Sequence, residues 1–171
     1  DALAPAARAG TWIVGLEASC IYTLRDEAPA LLPGDDADVV AERAVLLEEF
    51  LDQEWAQGHT LPFKLLKRRR LKVHGHCHQK AFGTVNASVR MLERIPDLTV
   101  EEIPSGCCGM AGAFGYQAEH YDVSMAMAEL DLLPAVRVTD ETTEIVASGT
   151  SCRAQIRDGT GRTALHPAVL L

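Results

Sequence analysis

LTVEEIPSGCCGMAGAFGY, residues 98–116, holds a strand, a stop and a cysteine loop in that order. Leu98–Ile103 is a short segment of strand character, and Pro104 closes it. Cys107 and Cys108 then stand side by side among Gly109, Gly112 and Gly115. Adjacent cysteines in a glycine-rich loop are poor core material. They suit a backbone folded tightly around something that both sulfurs reach, with Gly109 and Gly112 letting the chain wrap close to the thiolates.

The same order recurs along the chain. TWIVGL (11–16) leads to Ser19-Cys20, Leu71–His76 leads to Cys77, and Thr143–Ala147 leads to Ser151-Cys152. Between these strands the apolar spacing predicts helices over 21–32 (broken at Pro29), 38–57 (ended by Gly58), 79–94 (ended by Pro96) and 118–133, with a short one after Cys152. Met125, Met127, Leu130 and Leu133 are read as core filler of the 118–133 helix, and the tail ALHPAVLL as packing on the core. Strand, loop and helix in repetition define an α/β fold with Rossmann-like layers and a mainly parallel sheet. Ligand sites in such sheets lie at the carboxyl ends of strands. Every cysteine of this chain falls at such a strand-to-helix junction.

At 171 residues, with 47% hydrophobic and 23% charged residues, the chain suits one compact domain. A net charge of −8 leaves no basic surplus for nucleic acid. The basic run Lys67-Arg68-Arg69-Arg70 reads as a solvated loop. No apolar run is long enough to cross a bilayer, and no signal peptide is visible, so a cytoplasmic location is expected. Residues 1–10 are read as a linker. Five cysteines without a secreted disulfide framework read as metal-binding or redox residues before structural disulfides.

An internal echo aligns WIVGLEASCIYTLRD (12–26) with EIVASGTSCRAQIRD (144–158). Ile-Val, Ser-Cys and Arg-Asp keep one register. Residues 11–34 are therefore read as the closing strand–helix element of a preceding unit, packed as one domain with a complete unit at 35–171.

Thiolates at helix N-termini are stabilised by backbone N–H groups and the helix dipole. Several converging on one edge form a soft cage that selects zinc, copper(I) or an iron–sulfur cluster. The candidate ligands are Cys77, Cys107, Cys108 and Cys152, with Cys20 as a fifth. Neither the C-x₂₋₄-C pairs of zinc sites nor the ferredoxin-type C-x₂-C-x₂-C run occurs. The adjacent sulfurs could serve two metals of one cluster, or one metal with the second sulfur in reserve. In HGHCHQK, alternation along a strand places His74, His76 and His78 on one face opposite Cys77. His78, at the loop, is the candidate for direct cofactor contact, and one of the three is expected to hydrogen-bond a thiolate. A vicinal disulfide at 107/108, a thiol–disulfide redox centre and an ordinary structural role for Cys20 are the competing readings. Gly109, Gly112 and Gly115 match no nucleotide fingerprint.

HGHCHQKA (74–81), CCGMAGAFGYQAEHY (107–121), GTSCRAQIRDGTGRTALHP (149–167) and GLEASC…LRDE (15–27) together resemble the cysteine-rich CCG domain. Its relatives are the heterodisulfide reductase subunits, the iron–sulfur subunits of glycolate and glycerol-3-phosphate dehydrogenases, and the C-terminal regions of FAD-linked oxidases acting on D-2-hydroxyglutarate or D-lactate. The resemblance implies a [4Fe–4S] cluster, with zinc or no metal as alternatives in an isolated stretch. It implies electron transfer from a flavin in a separate domain, alongside ferredoxin-like domains, towards a quinone or carrier protein, with a place peripheral to an inner membrane as an alternative to the open cytoplasm. Substrate oxidation by this chain alone is not expected, and a zinc-stapled docking domain is the alternative. The family pattern ends in C-x-x-C, whereas Gln155 follows Cys152 here, so one expected thiolate is absent and Cys20 is a candidate substitute.

Overall fold

The computed structural model describes residues 2–63 and 66–171; Asp1, the first residue of the expected linker, lies outside them. A four-stranded sheet forms the centre, in the order β4 (Thr99–Glu102), β3 (Arg70–His74), β5 (Glu144–Ala147) and β6 (Ala164–Leu165), with every pair parallel. The α/β architecture read from the sequence is the one observed. Successive side chains of β3 and β5 face opposite layers. Leu71, Val73 and Val146 pack with Trp55, Met91 and Leu92 on α5 (Leu47–Ala56) and α7 (Val85–Glu93). Ile145 and Ala147 pack with Leu132, Val136 and Ile156 on α9 (Leu132–Arg137) and α10 (Thr150–Thr160).

Three expectations are corrected. Residues 4–8, read as linker, form a helix, α1 (Ala4–Arg8). Ala4 and Ala7 bury against Val40 because their small side chains let two helices approach closely.

The long helix expected over 38–57 is two helices, α4 (Asp35–Arg43) and α5, separated by a strand, β2 (Ala44–Leu46). Ala44, Val45 and Leu46 are all buried. Three consecutive buried residues exceed one helical face, and they fit a strand covered on both sides. β2 pairs in parallel with β1 (Ile13–Gly15). The 79–94 helix is likewise interrupted, giving α6 (Cys77–Ala81) and α7, because the chain turns at Gly83 with a positive φ of 68°.

The third correction concerns the sheet. The chain 11–16 does not join the central sheet; β1 and β2 form a separate two-stranded one. The echo nevertheless extends into the pairing. Ile13 faces Ala44 and Val14 faces Val45, as Ile145 faces Ala164 and Val146 faces Leu165. Each strand–Ser-Cys–helix element, with α2 (Ala18–Arg25) in one case and α10 in the other, thus leads to a parallel partner in the same register, through α3 (Glu27–Leu31) and α4 in the first case and directly in the second.

Of the apolar positions expected in the 118–133 helix, Leu133 is buried, whereas Met127 and Leu130 on α8 (Tyr121–Leu130) are exposed. α8 covers the cysteine loop through Ser124 and leaves its other side to solvent. The basic run sits at the opposite end of the sheet, where Arg68 pairs with Glu144, Arg69 with Asp97 and Arg70 with Glu101. Among the described residues no helix is long and apolar enough to cross a membrane.

Leu46 is fully buried among Ala18, Ile21 and Tyr22. Leu46→Ala is expected to lower the free energy of unfolding by about 2–5 kcal/mol. Leu31→Ala, at a 76% exposed position, should change it by less than about 0.5 kcal/mol. Urea denaturation monitored by circular dichroism checks both, and equal effects would contradict the β2 assignment.

Candidate metal centre

Because β4, β3 and β5 are adjacent and parallel, the loops leaving their carboxyl ends meet on one edge. Cys77 is the first residue of α6, Cys107 and Cys108 lie in the loop after β4, and Cys152 is in the first turn of α10. Their thiols form a contiguous chain. The Cys77 and Cys107 thiols neighbour and influence each other, as do those of Cys107 and Cys108, and the Cys108 and Cys152 sulfurs are 3.4 Å apart. None is in a disulfide. Cys108 and Cys152 are buried, while Cys77 and Cys107 are partly open to solvent.

Two glycines permit this approach. A Cβ at Gly149 would stand 2.5 Å from His76 Cδ2 and 3.1 Å from the Cys152 sulfur. Gly109 has a φ of +88°, and a Cβ there would meet the Ser124 carbonyl oxygen at 2.1 Å. Its N–H donates to the Cys107 sulfur at 3.3 Å. Gly109 therefore serves both the thiolate and the packing against α8. Gly112 has a φ of +65°, and a Cβ built there would meet nothing within 4 Å.

The three histidines of HGHCHQK do not share a face, because β3 ends at His74 and the chain turns into α6 at Cys77. His74 is the fully buried one, at 1% exposure. Its Nδ1 is 2.9 Å from Ser105 Oγ, and a ring nitrogen lies within 4.8 Å of the sulfurs of Cys108 and Cys152. His76 Nδ1 accepts the His78 N–H at 3.2 Å, capping α6, and its Nε2 is 3.3 Å from Ser19 Oγ. His78 is turned towards Tyr22, ring centroids 6.1 Å apart, and towards His76. The metal-competent group among the described residues therefore contains His74 and not His78. Cys20 is exposed on α2 and hydrogen-bonds no other thiol. Gln155 does not reach into the site either, since its Nε2 donates to Ser124 O and Oγ.

Charge is distributed unevenly along the thiol chain. Hydrogen bonds from Cys108 and Cys77, and the Gly109 N–H, hold Cys107 as a thiolate down to about pH 2. The hydrogen bond to Cys108 holds Cys152 well below the usual thiol range. Cys77 is pushed up by its hydrogen bond to Cys107, and Cys108 by its bonds to Cys107 and Cys152. Cys107 and Cys152 thus favour the thiolate while Cys77 and Cys108 favour the thiol, and a soft cation bound by all four displaces the remaining protons.

Two contributors were not singled out by the sequence. Lys80, half-buried beside these sulfurs, donates to the Ser105 and Gly106 carbonyls, the latter at 2.9 Å, and so pins the cysteine loop onto α6. Burial lowers its pKa. Glu17 accepts from the Thr150 N–H at 2.8 Å and hydroxyl at 2.7 Å, capping the helix that carries Cys152. Both lie inside quoted stretches, HGHCHQKA and GLEASC, but their partners are distant in sequence.

The chain is 31% identical over 166 residues to a subunit of the anaerobic glycerol-3-phosphate dehydrogenase of Escherichia coli K12, an alignment covering 95% of this chain and 40% of that relative. It is 27% identical over 174 residues to D-2-hydroxyglutarate dehydrogenase of the same organism, covering all of this chain and 16% of that protein. The Pseudomonas putida D-2-hydroxyglutarate dehydrogenase is 29% identical over 120 residues, covering 68% of this chain and 11% of that protein. The chain therefore spans well under half the length of these relatives. No family model matches it, and no solved structure matches it.

The Cys107 proton is held more weakly in the folded than in the unfolded chain, about 2 against an ordinary 9.0. Its contribution to stability is therefore complete above pH 9.0 and is lost as pH falls towards 2. In the reduced, metal-free chain, iodoacetamide is expected to modify Cys107 even at about pH 5, while burial protects Cys108 and Cys152. Peptide mass spectrometry reads the sites, and an unmodified Cys107 at that pH would contradict the thiolate assignment.

Proposed function

Because this chain belongs with the cysteine-rich CCG regions of FAD-linked oxidases and iron–sulfur oxidoreductases, we propose that it is an electron-transfer region holding an iron–sulfur centre. The reading rests on one observation above others: four reduced cysteines and a buried histidine from three neighbouring strand ends meet at one edge of the sheet. Cys77, Cys107, Cys108 and Cys152 are the thiolate ligands in this reading. Soft sulfur donors and the absence of hard carboxylate oxygens from the group fit iron–sulfur or zinc chemistry.

When bound, such a cluster accepts and passes single electrons. The chain's own residues bind it, shape its surroundings and limit water. Met110, Ile103 and Ile145 line the buried side behind Cys108 and Cys152, and the Gly109 N–H offers its hydrogen bond to a ligand sulfur. Apolar burial and N–H donors to sulfur are two of the means by which proteins set the potential of such centres. The ammonium of Lys80 adds a positive charge on the solvent side.

In the whole protein, the substrate would be a 2-hydroxy acid or a similar small alcohol oxidised at a flavin in a separate domain. Electrons would pass through this region, and ferredoxin-like domains, to a quinone or carrier protein. Residues 11–46 would be the closing part of a preceding unit, and 47–171 the unit that carries the centre. The pairing of β2 with β1 supports this division.

A second reading is favoured by one distance. The 3.4 Å between the Cys108 and Cys152 sulfurs is close to the roughly 3.8 Å that two thiolates span on one tetrahedral zinc with bonds of about 2.3 Å. In that reading the region is a zinc-stapled docking domain.

Anaerobic reconstitution of the 171-residue chain with iron and sulfide separates the two. The expected product carries iron and acid-labile sulfide, with broad visible absorbance that dithionite bleaches. Cys152→Ser should abolish it and Cys20→Ser should leave it intact. One tightly held zinc, no sulfide and a colourless chain would refute electron transfer.

A further inference from the structure

His74 stands out within the site because one side of its ring is fully engaged and the other is not. The side chain is 1% exposed. Nδ1 lies 2.9 Å from Ser105 Oγ, and that hydroxyl donates its own hydrogen to the Ile103 carbonyl at 3.3 Å. When the hydroxyl donates to Ile103, the Ser105 oxygen accepts from the ring. In that arrangement Nδ1 carries the proton of the neutral imidazole and the lone pair is on Nε2. That atom is buried and has no hydrogen-bond partner. An unmet buried acceptor is destabilising, so its retention needs a reason.

The ring's neighbours supply one. A nitrogen of His74 and the sulfurs of Cys108 and Cys152 lie within 4.8 Å of one another, all three residues buried. A proton fixed on the far nitrogen by an outer hydrogen bond is the arrangement that orients metal-binding histidines. Gln155, one turn along α10 from Cys152, is held away by Ser124 and offers the site nothing.

We propose that His74 Nε2 is a direct metal ligand, completing with Cys108 and Cys152 the buried side of a mixed nitrogen–sulfur set. Cys77 and Cys107 bring their thiols from the partly open side. Ser105 is the positioning residue that fixes the tautomer. The inference rests on a metal centre at this edge, whichever soft metal fills it. Its consequence for an iron–sulfur centre is electrostatic. A neutral imidazole in place of a thiolate removes one negative charge from the ligand set, which favours the reduced state and raises the potential.

Cadmium(II) alone, added to the reduced 171-residue chain with isotopically labelled histidine, tests the assignment by NMR. One imidazole nitrogen should show scalar coupling to cadmium. The coupling should persist in His78→Ala and vanish in His74→Ala and His74→Cys. Ser105→Ala should keep it while weakening cadmium binding about tenfold, the cost expected for losing an outer-shell bond; His74→Ala should cost more. If His74→Ala does not fold, His74→Cys still provides a ligand at the same position. That variant should bind cadmium without the coupling and, loaded with iron and sulfide, titrate at a lower potential. Absence of any nitrogen–cadmium coupling, or coupling that survives His74→Cys, overturns the proposal. The iron–sulfur loading is read independently. Cadmium coupling at His74 without cluster assembly rejects electron transfer and keeps the ligand, whereas a cluster without nitrogen coupling does the reverse.

Discussion

The parallel pairing of β3 with both β4 and β5 is the constraint from which the site follows. Parallel neighbours release their loops on the same edge, so residues 74–77, 105–108 and 148–152 have only a few ångströms in which to separate. The sequence fills that narrow space with thiols, one imidazole and glycine. Gly149 and Gly109 mark where backbones come too close for a Cβ. Lys80 and Glu17 then tie the loops to each other, from α6 to the cysteine loop and from the β1–α2 turn to the start of α10. The apolar layers on either face hold the strands in register and keep the inner sulfurs dry.

Much of this is legible in local pattern. The strands at 71, 98 and 143 are marked by short apolar runs, and the cysteines by their place after each. Strand-end position is enough to gather Cys77, Cys107, Cys108 and Cys152. It is not enough to exclude Cys20, because nothing local in TWIVGL shows that this strand joins β2 and not the central sheet. The helical spacing over 38–57 is genuine on both sides of 44–46. The strand between them is three residues long and shows itself only through burial on every side, a tertiary property. Alternation along the sequence places His74, His76 and His78 on one face only if the strand continues past His74, and β3 ends there. Ser105, whose partner is 31 residues away, carries no local signal of its role.

The repeated pairing of Ile13–Val14 with Ala44–Val45, and of Ile145–Val146 with Ala164–Leu165, gives the echo in the sequence a structural content. Both copies run from a strand into a helix with a cysteine in its first turn and reach a parallel return strand, directly after α10 in the second copy and after two further helices in the first. Only the second copy has β3 on its other side, and only there does the cysteine meet other thiols. The difference between an exposed Cys20 and a buried Cys152 thus comes from the neighbouring strand and not from the element itself.

X-ray absorption at the iron edge of the loaded chain tests most directly whether these strand ends enclose one sulfur-rich metal centre. The expected spectrum has a first shell dominated by sulfur that is lost when Cys108 is replaced by serine. A shell of light oxygen or nitrogen atoms alone, unchanged by that substitution, would contradict it.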